Sequence, residues 1–351
     1  MTRGAPGAPR VSPILLCSGL AIALVVAVVL SVGIGAVRIS PRQVVAIVLD
    51  HAGIQTQIAY TAQQDSVVWA IRLPRVLLAI MVGAGLAVSG AALQGVFRNP
   101  LADPGLIGVS SGAALGAVIA LGLSITWFGI ATTPLFAFVG GVITAVIGYG
   151  LARHNGRTEV ITLVLAGVAL NTFAGAGTSL VTFIANDAQL RAIIFWSMGS
   201  LGSATWESVA AAFPFILIGM IASFWWGKPL NLMVLGEREA RHLGVDTERV
   251  RRTVILLTAL MTGATVAVAG IIAFVGLIIP HLVRLVAGPD HRTLLPASAL
   301  AGALLIVVAD LFARTVVSPL ELPLGVLTAL IGGPFLLFLM LRTRKSQGGW
   351  A

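Results

Sequence analysis

Few residues in this chain could do chemistry, and their places limit what that chemistry could be. The one acid deep inside an apolar stretch is Asp310, in ALLIVVADLFAR, four residues before Arg314. Such a buried acid reads either as a proton-relay group or as an i,i+4 partner that holds Arg314. Arg72 and Arg75 flank a leucine and a proline in RLPR, at the head of another apolar run. There a guanidinium can snorkel to an interface. The most charged stretch is KPLNLMVLGEREARHLGVDTERVRR, 228–252. Its Leu235-Gly236-Glu237 and Leu243-Gly244-Val245 read as two glycine-marked helix ends. Between them the spacing predicts a short helix with Glu237, Arg238, Glu239 and Arg241 as its charges and Ala240 and Leu243 as its apolar face. That element is either a solvated connection or a docking surface whose ordering is offset by contact with a partner.

No catalytic set accompanies these groups. The two lysines, Lys228 and Lys345, lie outside any GxxxxGK[ST] phosphate loop, so ATP hydrolysis is not expected here. The five histidines (His51, His154, His242, His281 and His291) lack metal-ligand spacing. No enzyme activity, metal or cofactor is therefore expected. The single cysteine, Cys17, excludes an intrachain disulfide. Nucleic acid is not an expected partner either. The net charge of +9 sits in short loops, without a basic stripe or aromatic platform.

The elements that must carry these residues are apolar helices. Hydrophobic residues make up 58% of the 351 and charged residues only 10%, against about 25% charged in a soluble domain. Runs near 14–37, 73–97, 105–123, 133–152, 160–184, 208–227, 253–273, 294–313 and 323–342 are spans of an all-α membrane protein. The first is read as a span rather than a signal peptide, because its apolar run is too long for an h-region. A tenth, 275–287, is short and interrupted by Pro280. The forty glycines mark close helix contacts, with Gly112 and Gly116 as one small-xxx-small pair.

Arg3 and Arg10 near the start, and Arg342, Arg344 and Lys345 near the end, place both termini in the cytoplasm. Ten spans then leave Arg38, Arg42, Arg72, Arg75, Arg191 and Arg314 outside, and the other sixteen of the 22 basic residues inside. The expected organisation is a tail at 1–12, one ten-helix domain at 13–343 containing the inner loop 228–252, and a tail at 344–351. The outer segment 38–71 includes a surface helix near Pro41 to Ala52, and 185–207 brings Trp196 and Trp206 to an interfacial belt.

Three blocks carry a resemblance. WAIRLPRVLLAIMVGAGLAVSGAALQGVFRNPLADPGLIGVSSGAALG (69–116), VAGIIAFVGLIIPHLVRLVAGPDHRTLLPASALAGALLIVVADLFAR (268–314) and ELPLGVLTALIGGPFLLFLM (321–340) stand in order along the chain. The chain resembles the FecCD-type permeases of binding-protein-dependent ABC importers for iron-siderophores, haem and cobalamin. The likeness covers nearly everything after residue 68 and is weaker before it.

The resemblance implies ten helices and a multi-pass place in the inner or plasma membrane. It also implies a second permease subunit, two cytoplasmic ABC ATPase subunits and an extracytoplasmic substrate-binding protein as partners. Arg72, Arg75 and Arg314 would receive acidic residues of the binding protein. Leu235, Gly236, Glu237, Ala240, Arg241, Leu243 and Gly244 would form the ATPase-coupling element. The route would run between two subunits along the fifth and tenth spans, where Asn171, Thr172 and Thr178 are the polar residues that either line it or bond neighbouring helices. Ferric siderophores are the expected substrates, with haem or cobalamin as alternatives. A secondary transporter driven by an ion gradient would instead need Asp310 as its working acid.

Overall fold

The structure, a computed structural model, describes residues 11–346 except Asn155. The expected tails at 1–12 and 344–351 therefore lie almost wholly outside the described residues, as do Arg3, Arg10 and the side chains of Arg342, Arg344 and Lys345. The chain order is α1 (Pro13–Gly33), α2 (Pro41–His51), α3 (Ala62–Ser66), a π-helical turn (Val67–Arg72), α4 (Leu73–Phe97), α5 (Val109–Gly122), α6 (Thr132–Ala152) and α7 (Val160–Ile184). Then follow α8 (Asp187–Ser197), α9 (Trp206–Trp225), α10 (Gly227–Leu235), α11 (Glu237–His242), α12 (Thr247–Ala269), α13 (Val275–Ala287), α14 (His291–Thr315) and α15 (Leu324–Ser346).

All ten expected spans are helices, but they are not equal. Among the described residues, seven helical stretches are long and apolar enough to cross a membrane. The helices α5, α13 and the described apolar part of α15, Leu324–Leu339, are shorter. At 1.5 Å per residue, α13 reaches only about 20 Å of a hydrocarbon layer near 30 Å. Irregular backbone precedes both α5 and α13. A short 3-10 turn, Pro104–Ile107, leads into α5, and residues 270–274 separate α12 from α13. Non-helical backbone at such depth requires partners inside the protein.

Those partners come from a knot of main chain. Ser200 N–H donates to Ala269 O at 2.8 Å, Leu324 N–H to Gly199 O at 2.9 Å, and Gly325 N–H to Met198 O at 3.0 Å. The end of α8, the α12–α13 break and the start of α15 are thus bound together without side chains. Gly199 and Gly270 both take positive φ here, which only glycine adopts at no steric cost. A Cβ on Gly199 or Gly325 would overlap Ile271 O, and one on Gly270 would overlap Trp196 O.

The core is built around α4, which is buried along nearly its whole length and packs on α14, α12, α13 and α9. Gly83 of α4 and Gly302 of α14 meet backbone to backbone, so a Cβ on either would overlap the other's carbonyl. The predicted Gly112/Gly116 pair does the same work between α5 and α6, facing Thr144 and Phe136 O. Small residues allow this approach, which dispersion rather than hydrophobic exclusion must hold in lipid.

Outside the spans, α2 begins where sequence expects it. Ser40 caps it in a reciprocal box with Gln43, and Pro41 opens its first turn. The all-α reading has one small exception, a two-residue antiparallel hairpin pairing Arg153–His154 with Arg157–Thr158 between α6 and α7.

Candidate functional site

At one end of the bundle the structure brings together Arg72, Arg75 and Arg314, as expected, and adds a residue that sequence reasoning did not single out. Leu73 N–H reaches Val68 O five residues back, a π turn just ahead of Pro74, whose missing N–H breaks the regular ladder. This turn delivers Arg72 and Arg75 to the foot of α1 and the head of α15. Arg72 is buried and donates to Val32 O, to Gly33 O at 3.2 Å and to Val37 O at 2.6 Å. Arg314 donates to Ile34 O at 3.0 Å and to Ser31 Oγ at 2.9 Å, and also to Ser31 O. Arg72 therefore rests on neutral carbonyls that leave its charge uncancelled, and Arg314 gives most of its hydrogen bonds to such acceptors.

Arg75 is different. Its Nε lies 3.0 Å from each oxygen of Asp310, whose side chain is 1% exposed. Its Nη1 and Nη2 donate to Glu321 Oε1 and Oε2, both at 2.9 Å, in a two-pronged pair. Glu321 lies in the short loop before α15, and its side chain is 43% exposed. The hydrogen bonds from Arg75 hold its carboxyl below the usual glutamate range. The Arg314 Nε to Asp310 Oδ2 distance is 3.6 Å, so the predicted i,i+4 pair exists but is secondary to Arg75. Asp310 is thus an anchor between two arginines, and the geometry gives no support to a proton-relay role.

A cavity of about 700 Å³ opens beside this cluster. Glu321 and Pro323 form one wall, Ala269, Gly270 and Ser200 of the backbone knot another, and Glu207 a third.

The opposite end of α4 lies about 30 Å away, counting twenty residues from Arg75 to Gly95 at helical rise. There His291 and Leu230 pack on Gly95, which places α10 and α11 at this end. Gly236 ends α10 and Gly244 follows α11, both with positive φ, as their spacing predicts. Ala240 is fully buried, but Leu243 is 59% exposed. The predicted apolar face of Ala240 with Leu243 is therefore split, because the helix ends at His242 and Leu243 turns outward. Leu235 is exposed too, so the two leucines that flank α11 both point away from the bundle.

What ties α11 down is an ion network. Glu237 pairs with Arg241 and, at 3.4 Å, with the buried Arg251. Burial alone would raise the Glu237 carboxyl, but these two arginines hold it below its ordinary value. Arg251 also donates to Thr158 O of the hairpin and lies 3.4 Å from Glu248. Glu248 accepts from Tyr149 Oη at 3.0 Å and from Thr158 N–H at 3.0 Å. The network links α11 and α12 to α6 and to the hairpin that leads into α7.

The three expected pathway residues separate. Asn171 turns inward, donating to Gly105 O at 3.1 Å and accepting from Ser111. It ties α7 to α5 and to the 3-10 turn that leads into it. Thr172 is exposed, with its hydroxyl returned to Val168 O at 2.9 Å, and Thr178 is half-buried. Thr172 shares its open surface with Leu165 and Val168, a face of α7 that nothing in one subunit covers. Among the described residues no three His, Cys, Asp or Glu side chains converge to hold a metal.

A bundle of apolar helices of this kind defines a multi-pass membrane protein. The chain belongs to the FecCD transport family, which it matches over residues 23–342. It is an ABC importer permease of the cell membrane. It is 43% identical over 346 residues to the hemin transport system permease protein HmuU of Yersinia pestis, covering 97% of this chain and 99% of that one. It is 46% identical over 290 residues to the cobalamin import system permease protein BtuC of Halobacterium salinarum, covering 82% and 76% of the two chains. A solved ABC transporter in an inward-facing conformation superposes with a TM-score of 0.82 at 35% identity, covering 94% of this chain and all of that one.

Proposed function

We propose that this permease imports a metal-bearing tetrapyrrole, first of all haem, delivered by a substrate-binding protein and driven by a separate ATPase. The observation that carries the substrate class is the end-to-end likeness to the Yersinia pestis hemin permease. The likeness to a cobalamin permease points to the same chemical class. In this reading two permease subunits meet along the open faces of α7 and α15, and the route runs between them past Thr172 and Thr178. The ATPase subunits seat on α11 and the outward leucines, Leu235 and Leu243. The arginine end faces outside, where Arg72, Arg75 and Arg314 meet acidic side chains of the binding protein. Both termini are then cytoplasmic.

The test is reconstitution in nanodiscs with the host's ATPase and each of its substrate-binding proteins, loaded in turn with hemin, cobalamin or a ferric siderophore. Stimulation of ATP hydrolysis by one hemin-loaded binding protein, with uptake blocked by unlabelled hemin, is the expected result. Stimulation and uptake only with a ferric siderophore would replace the tetrapyrrole reading with the substrate that the family at large suggests. Transport on an ion gradient with no associated ATPase would refute the importer itself.

A further inference from the structure

The arginine cluster contains its own stand-in for a partner's acid. We infer that Glu321 occupies, in the undocked permease, the seat on Arg75 that a carboxylate of the docking protein takes, and that docking exchanges one for the other. The inference rests on the docking role proposed above.

The geometry leaves little alternative for an incoming acid. Asp310 takes the inner edge of the Arg75 guanidinium and is itself sealed from outside. Glu321 takes the outer edge with both oxygens. Arg75 therefore has no open edge, and a partner carboxylate reaches it only where Glu321 now sits. Glu321 is the one acid of the pair able to leave, being half-exposed and carried on a loop rather than a helix. It also has somewhere to go, since it forms a wall of the 700 Å³ cavity. The three guanidiniums and two carboxylates of the cluster already leave one positive charge over among themselves. Release of Glu321 raises that local charge at the moment an acidic partner arrives, so the exchange conserves pairing instead of stranding a buried arginine.

The exchange also has a mechanical consequence. Leu322 N–H donates to Ala313 O at 3.0 Å, and Leu324 and Gly325 bind the backbone knot at Gly199 and Met198. Glu321 is therefore one residue from a main-chain bond to α14 and three from the joint that sets the start of α15. Freeing it removes a two-pronged side-chain tie between the segment leading into α15 and α4. Docking at the arginine end is then felt at the helix that borders the proposed route.

The probe is the substrate-binding protein that stimulates the wild-type complex in the reconstitution above. Its affinity for permease–ATPase nanodiscs is measured by biolayer interferometry at low and high salt. Glu321→Gln keeps the shape and removes the competing charge, so binding is expected to tighten about fivefold at low salt, the factor of one half-exposed ion pair. Glu321→Ala should tighten it too, and Glu321→Asp should fall between these and wild type. The paired variant Arg72→Ala/Arg314→Ala should weaken binding. If that arginine variant weakens binding but Glu321→Gln and Glu321→Ala bind as wild type or worse, docking stands and the exchange is overturned. If the arginine variant binds as tightly as wild type, the docking role itself fails and the exchange with it. Thermal stability of each variant, read by gel filtration, confirms that folded permease is compared with folded permease.

Discussion

Replacing Asp310 by alanine is the sharpest test of how the arginine end is held. The side chain lies 3.0 Å from Arg75 Nε through each oxygen and 3.6 Å from Arg314 Nε, with all three side chains under 10% exposed. Its loss leaves Arg314 with only carbonyl and hydroxyl acceptors and Arg75 with Glu321 alone. Removing one partner of a buried pair costs about 3–5 kcal/mol, because the other charge is left without compensation. Glu321 still neutralises Arg75 in part, which places the expected loss near the lower bound, about 3 kcal/mol. A chain of this size shifts by roughly 2 °C per kcal/mol, so the melting temperature should fall by about 6 °C. Fluorescence-detected gel filtration after heating in detergent reads this directly. Glu321→Ala is the control, since a half-exposed pair is worth at most about 1 kcal/mol, a shift of roughly 2 °C. The double variant Asp310→Ala/Arg75→Met should recover part of the loss, because it removes the stranded charge along with its partner. If Asp310→Ala shifts no further than Glu321→Ala, the buried-anchor reasoning is refuted.

Four further outcomes are expected. Gly116→Val should destabilise the α5–α6 contact by about 1–3 kcal/mol, because its side chain would enter Phe136 O, whereas Gly175→Ala, with open space around it, should be neutral; melting in detergent distinguishes them. Arg251→Met, which cuts the tie from Glu237 to Glu248, should leave ATP hydrolysis intact but lower substrate moved per ATP by about tenfold, within the coupling energy such networks carry. In a Cys17→Ser background, Thr172→Cys should form subunit crosslinks in membranes while Asn171→Cys, turned inward, should not; the reverse pattern would remove α7 from the subunit interface. Tyr60 donates to Asp50 at 2.7 Å and is thereby raised to about 12. In a Tyr149→Phe variant its ultraviolet titration should show that value and fall back toward about 10 with Asp50→Asn. The sign follows from the donor: the bond is intact while Tyr60 is protonated and is lost as pH rises through about 12.

Much of this architecture could be read from residue types, and the boundary of that reading is physical. Spans such as α4 and α14 are legible because twenty apolar residues have few other fates. α2 is legible because Ser40, Pro41 and Gln43 spell a helix start. Gly236 and Gly244 announce the ends that bracket α11, since positive φ is costly for other residues. Arg72, Arg75 and Arg314 were found through the resemblance, not through spacing. Glu321 stood within one of the matching blocks, yet its pairing with Arg75 spans 246 residues, and no local period encodes a contact across that distance. Asn171 shows the same limit: its polarity was plain, but whether it faced a route or a neighbour depended on where Gly105 and Ser111 came to lie. Leu243 failed as a core residue because α11 stops one residue before it. The helix α8 and the hairpin at 153–158 passed unnoticed because both are short and lie between stronger signals.

The joint at residues 198–200, 269–271 and 324–325 is fastened by main-chain bonds. Three segments remote in sequence meet there through atoms that every residue possesses, so no one of them can slip while the other two stay in place. Opening at this end of the permease should accordingly be concerted, with α8, α12 and α15 shifting as a single lever.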